Sequence, residues 1–120
     1  MANQVVWVDI PVVNLDRAIK FYSAVIGGTV TKQEYPGFVI GLLPGYESEV
    51  SGCLFVKEGE QPCDRGPLLY LNASGRLDQA VAEVEPNGGK VLLPKHPIGP
   101  HGFRAVVLDS EGNRIALHSR

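Results

Sequence analysis

The sequence predicts an α+β fold built from two copies of one strand–helix–strands module. First, Leu15-Asp16-Arg17-Ala18-Ile19 returns as Leu77-Asp78-Gln79-Ala80-Val81, and Gly27-Gly28-Thr29-Val30 returns as Gly88-Gly89-Lys90-Val91. Second, an apolar run precedes each copy, with Ile10 five residues before Leu15 and Leu71 six before Leu77. Third, each copy is followed by short β-rich stretches separated by Pro/Gly turns. At 120 residues the chain is one domain, 1–120. Two halves of about sixty residues would be marginal alone, so they are expected to share a core or exchange with a second chain.

The first strand is placed over residues 5–13. Val6, Val8, Ile10 and Val12 face the helix, and Trp7 and Asp9 face the other way. Asn14 caps a helix whose apolar stripe is Leu15, Ala18, Ile19, Tyr22, Val25 and Ile26. Gly27-Gly28 ends it. Strands over residues 29–33, 38–43 and 51–56 complete module 1, spanning 5–57. The charged, Pro/Gly-containing stretch 57–66 reads as a linker.

Module 2, spanning 66–119, repeats the order with a strand over 68–73. There Leu68 and Tyr70 point away from the helix striped by Leu77, Ala80, Val81 and Val84. Residues 90–93 read as a strand. Residues 94–102, with three prolines and two glycines, read as a loop holding His96 and His101. A final hairpin pairs 103–108 with 113–118 across Asp109-Ser110-Glu111-Gly112, leaving Arg114, Ala116 and His118 on one face.

A net charge of −2 gives no electrostatic reason to expect nucleic acid or an anionic membrane as partner. No apolar run nears the roughly eighteen residues of a membrane span, and Met-Ala-Asn-Gln does not read as a signal peptide, so the expected location is cytoplasmic. Cys53 and Cys63 read as ordinary reduced thiols. No phosphate-binding Gly-x-Gly-x-x-Gly or Gly-x-x-x-x-Gly-Lys pattern occurs, and no serine has a base beside it in sequence.

Trp7-Val8-x-Ile10-Pro11-Val12, Leu15-Asp16-Arg17-Ala18 with Phe21-Tyr22, Asn87-Gly88-Gly89, and Asp109-Ser110-Glu111-Gly112-Asn113-Arg114-Ile115 follow one another over nearly the whole chain. In that order they resemble the vicinal oxygen chelate superfamily, which includes glyoxalase I, bleomycin-resistance proteins and extradiol dioxygenases. The resemblance implies paired βαβββ modules forming a curved mixed sheet around a cavity, usually in a homodimer. It also implies a concave face on which metal-dependent members hold a divalent ion.

Those members place His or Glu on the first and last strands of each module. Here the matching positions are Trp7, Leu68 and Ala116, and the last strand of module 1 has no His, Asp or Glu. Indole, isobutyl and methyl groups offer a cation no lone pair. The expectation is therefore a small-molecule-binding protein without the usual metal or any cofactor, its cavity lined by Trp7, Asp9, Leu68, Tyr70, His101, Phe103, Ala116 and His118. The competing reading is a glyoxalase- or dioxygenase-type enzyme. In it Asp9 and His118, with help from His101, hold a divalent metal that polarises vicinal oxygens of the substrate. Arg104 and Arg114 could bind a carboxylate or phosphate, but the preferred reading is solvated strand-edge charges.

Overall fold

Asn14 and Gly27 bracket the first helix in the way their chemistry dictates. In a computed structural model describing residues 3–120, α1 (Leu15–Ile26) begins where the Asn14 side chain accepts the Arg17 amide at 3.0 Å. It ends at Gly27, whose φ of 74° closes the helix without a Cβ clash. Ala18, Phe21, Tyr22 and Val25 form its buried stripe.

Around α1 lie β1 (Trp7–Pro11), β2 (Thr31–Tyr35), β3 (Phe38–Leu42) and β4 (Ser51–Phe55), in the order β1-β4-β3-β2. Module 2 contributes β5 (Leu69–Asn72), α2 (Leu77–Ala82), β6 (Lys90–Pro97), β7 (Phe103–Leu108) and β8 (Arg114–Ser119), in the order β5-β8-β7-β6. The two orders are the same permutation. In each module the first strand lies at an edge and pairs parallel with the last, while the other pairs are antiparallel. The duplicated sequence thus folds as a duplicated topology.

One apolar core serves both halves. Ile10, Val25, Leu43 and Leu54 from module 1 belong to the same cluster as Leu77, Val84, Val107 and Leu117 from module 2, and α1 touches α2. Sharing one core solves the size problem that two half-domains of this length would face alone.

The strand expected over 29–33 lies two residues later, at Thr31–Tyr35, and two other stretches differ more from expectation. β1 starts at Trp7 rather than Val5 because its first pairing partner is Ser51; Val6, lacking a neighbour strand, is 70% exposed instead of packed on the helix. The expected loop over 94–102 is in large part strand: β6 runs through Pro94 to Pro97 and gives way to a short 3₁₀ turn at Gly99–His101. Proline is tolerated there because β6 is an edge strand and its pairing with β7 slips twice, between Val91 and Leu93 and between Leu93 and His96. That slip puts His96 opposite Arg104.

Candidate functional site

Pairing and alternation sort the candidate residues. On the first sheet Trp7, Asp9, Ser51 and Cys53 share the face turned away from α1, since Trp7 pairs with Ser51 and Asp9 with Cys53 while Ile10 and Leu54 point into the core. The Trp7 indole N–H donates to Asp9 Oδ1 at 3.0 Å, and the Cys53 thiol donates to the same oxygen at 3.3 Å. Burial and the neighbouring Asp9 carboxylate push the Cys53 thiol up to about 11. Asp9 is thereby served by neutral donors from its own sheet.

On the second sheet the helix-free face carries two adjacent rows. Tyr70, Ala116, Val106 and Leu93 form one, and Asn72, His118, Arg104 and His96 form the other. Arg104 stands at the centre of the second row. Its Nε donates to His96 Nε2 at 3.0 Å and its Nη1 to the Tyr70 hydroxyl at 2.6 Å. Tyr70 also meets His118 edge-on, with ring centroids 6.0 Å apart.

The bonds fix the protonation of both histidines in part. His96 Nδ1 lies 2.8 Å from the Pro94 carbonyl oxygen, which only accepts, so Nδ1 carries the proton and Nε2 the lone pair that faces Arg104. His118 Nε2 donates to the His101 carbonyl at 2.7 Å. His101 therefore meets His118 through its main chain, and its side chain is exposed.

Phe103 and Leu68 are placed differently from the others. Phe103 is paired with Ser119, one step from Arg104, and so lies on the helix side, 5.3 Å from the Lys95 ammonium and away from Tyr70, Arg104 and His118. Leu68 stands just before β5 and is half-buried. Beside this face, a groove of about 460 Å³ opens between the edge strands β1 and β5. Val8, Leu43, Pro44, Val50, Leu69 and Tyr70 are among its walls. Tyr70 thus belongs to the groove and, through its hydroxyl, touches Arg104 of the polar row.

The donor set does not suit a resident divalent ion. Trp7, Leu68 and Ala116 have no donor atom to give. The counterpart of Ala116 in module 1 is Cys53, because Asp9 and Tyr70, each two residues beyond Trp7 and Leu68, pair with Cys53 and Ala116. That thiol is held protonated, whereas a metal ligand must be a thiolate. Among the described residues no three His, Cys, Asp or Glu gather into a group that could hold an ion. Asp9 and His118, the pair considered for a non-standard site, are each bonded within their own sheet.

The turn after β7 does structural work instead. Glu111, with no solvent-exposed side-chain surface, accepts from Arg17 Nε at 2.7 Å and from the Val13 and Asn14 amides at 2.9 and 2.8 Å. Burial alone would raise its carboxyl; the bonds from Arg17, the Asn14 amide, Ser110 and the Val13 amide prevail and hold it at about 2. Asp109 accepts the buried Tyr22 hydroxyl at 2.6 Å, and Asn113 donates to the Pro11 carbonyl at 2.8 Å. Burial first, then the Asp109 carboxylate, drives the Tyr22 phenol well above its ordinary range.

Comparison with known proteins agrees with this architecture. A family model described as Glyoxalase/Bleomycin resistance protein/Dioxygenase superfamily matches residues 4–117. A "Glyoxylase-like domain-containing protein" of Didymella fabae is 29% identical, with 98% of this chain and 94% of the relative covered. Among solved structures, a glyoxalase/bleomycin resistance protein from Albidiferax ferrireducens superposes with a TM-score of 0.76 at 21% identity, covering 98% of this chain and 99% of its own. Glyoxalase I from Zea mays superposes with a TM-score of 0.71 at 19% identity, covering 93% of this chain and 44% of the maize protein.

Proposed function

Because the chain belongs to the glyoxalase/bleomycin resistance protein/dioxygenase superfamily, we propose that it binds a small organic molecule in the groove against Tyr70, with no metal ion at the four positions used by metal-dependent relatives. The observation that supports this reading most directly is the chemistry of those four positions: in place of lone-pair donors stand indole, isobutyl and methyl groups with no donor atom to give, and a thiol held protonated. Removing such donors leaves a face able to hold apolar matter. The groove beside Tyr70 has the volume of small-ligand sites, and its walls mix apolar with polar surface.

A homodimer belongs to the same proposal. Tyr35 and Phe38 stack with centroids 4.8 Å apart at the β2–β3 turn, yet remain 42% and 56% exposed, and Leu93 is 47% exposed. Apolar groups left in water in this way favour burial against a second copy. Among the described residues no helix is long and apolar enough to cross a membrane.

The test has two arms. Protein grown with Ni, Zn, Mn and Fe is dialysed and its metal content assayed, and a thermal-shift panel of small aromatic and aliphatic compounds is run on the same preparation. Sub-stoichiometric metal together with stabilising compounds is the expected result. Near-stoichiometric metal surviving dialysis, or a panel without a single hit, overturns the proposal.

A further inference from the structure

The second sheet is charged in one direction only. Strands β5 to β8 contain no Asp or Glu, yet they hold Lys90, Lys95, Arg104 and Arg114. Lys95 is answered by Asp78 of α2 at 3.2 Å. Arg104 has no such answer among the described residues: both partners found for its guanidinium, the His96 ring nitrogen and the Tyr70 hydroxyl, are neutral acceptors. A half-buried cation held rigidly by neutral groups keeps its full attraction for an anion.

The hydrogens left over point the same way. Two Arg104 N–H groups on Nη2 and one on Nη1 remain after its two bonds are made. Asn72 turns its oxygen to the Ser74 amide at 2.9 Å, so its NH₂ is left to donate. His118, in the same row, has its Nε2 proton engaged by the His101 carbonyl and adds no free donor. In the next row Ala116 and Val106 are buried, and Tyr70 and Leu93 offer an exposed aromatic ring and an exposed aliphatic side chain. A donor-rich row beside an apolar one matches a molecule with an anionic head and an apolar body.

We infer that the molecule bound on this face is an organic carboxylate, its carboxylate held by the Arg104 guanidinium and its apolar body lying against the exposed Tyr70 ring. The inference rests on the small-molecule reading above and specifies its chemical class. His96 and Tyr70 are positioning residues: by bonding Nε and Nη1 they hold the guanidinium fork in one orientation, with Nη2 unengaged.

The experiment is calorimetric titration of the whole protein with 2-naphthoate, with neutral 2-naphthamide and with inorganic phosphate, on the wild type, Arg104→Gln and Arg104→Lys. The wild type is expected to take naphthoate at least about tenfold more tightly than the amide or phosphate, from a hydrogen-bonded charge pair. Arg104→Gln is expected to erase the preference, and Arg104→Lys, which keeps the charge and loses the fork, to retain a fraction of it. Should Arg104→Gln fail to fold, the wild-type Arg104 Nε–H resonance supplies an independent readout, since it must move on adding naphthoate.

Equal affinity for acid and amide, phosphate binding as tight as naphthoate, or a stationary Arg104 resonance overturns the carboxylate assignment. The small-molecule reading falls separately, on its own metal assay and compound panel.

Discussion

Replacing Glu111 with Gln should cost the protein about 2 kcal/mol at neutral pH and nearly nothing in acid. The carboxyl sits at about 2 rather than 4.5, which at about 1.36 kcal/mol per pH unit sets an upper bound of about 3 kcal/mol. Arg17 is half exposed, so water screens part of that attraction and about 2 kcal/mol is the working figure. Because the folded carboxyl titrates below its unfolded value, the stabilisation is complete above about pH 4.5 and is lost as the pH falls from there towards about 2. Gln is close in shape and its oxygen can accept from the Val13 and Asn14 amides, while its NH₂ replaces the oxygen that accepts from Arg17 Nε and Ser110, so the substitution removes the charge together with those two bonds.

Urea denaturation of the wild type and Glu111→Gln in parallel, from pH 7 down to pH 3, gives the difference with other titrations cancelled. At neutral pH the variant should melt about 8 °C lower. By pH 3 the difference in free energy should fall below half its neutral value. A gap of constant size across that range would refute the assignment of Glu111 as the ionised centre of the turn.

Tyr22→Phe removes the buried donor to Asp109 and should cost about 1.5–3 kcal/mol; a urea midpoint equal to wild type would contradict it. Gly52→Ala places a Cβ against the Val8 carbonyl across the β1–β4 pair and should cost about 1–3 kcal/mol, read from thermal melting, with an unchanged melt counting against the register described. Cys53, buried and with its thiol near 11, should resist iodoacetamide at pH 8 while exposed Cys63 is alkylated, as peptide mass spectrometry would show; equal labelling of the two would mean that Cys53 is neither buried nor protonated as described.

How far the fold could be read from the residues depends on where periodicity survives. Both helices were marked by apolar stripes at three- and four-residue steps, and the two copies of Leu-Asp-x-Ala made the duplication visible before any pairing was known. Alternation put Trp7 and Asp9 on one face and Ile115 and Leu117 in the core, because strands have a period of two. The same rule, carried back from the hairpin turn, sets Arg104 opposite His118 and turns Phe103 to the other side.

His96 was hidden for a physical reason. Two slips in register and two prolines break the period of β6, so no pattern in residues 94–97 continues the strand read over 90–93 or says which way the ring points. The bonds around Glu111 were invisible for another: its partners lie 94 to 98 residues away, and local patterning cannot register contacts of that span. Asp109-Ser110-Glu111-Gly112 read as turn chemistry, which it is, and its acids were busy elsewhere as well.

Those long bonds set an order of events as the protein is made. The first helix leaves the ribosome early, but the carboxylate that seals its leading end is encoded about a hundred residues downstream. A nascent chain carrying module 1 alone must wait with Arg17 and two main-chain amides unanswered, and with half of its apolar cluster still to be synthesised. Neither the seal on the first helix nor the shared core can be completed until the chain has been made as far as Glu111 and beyond.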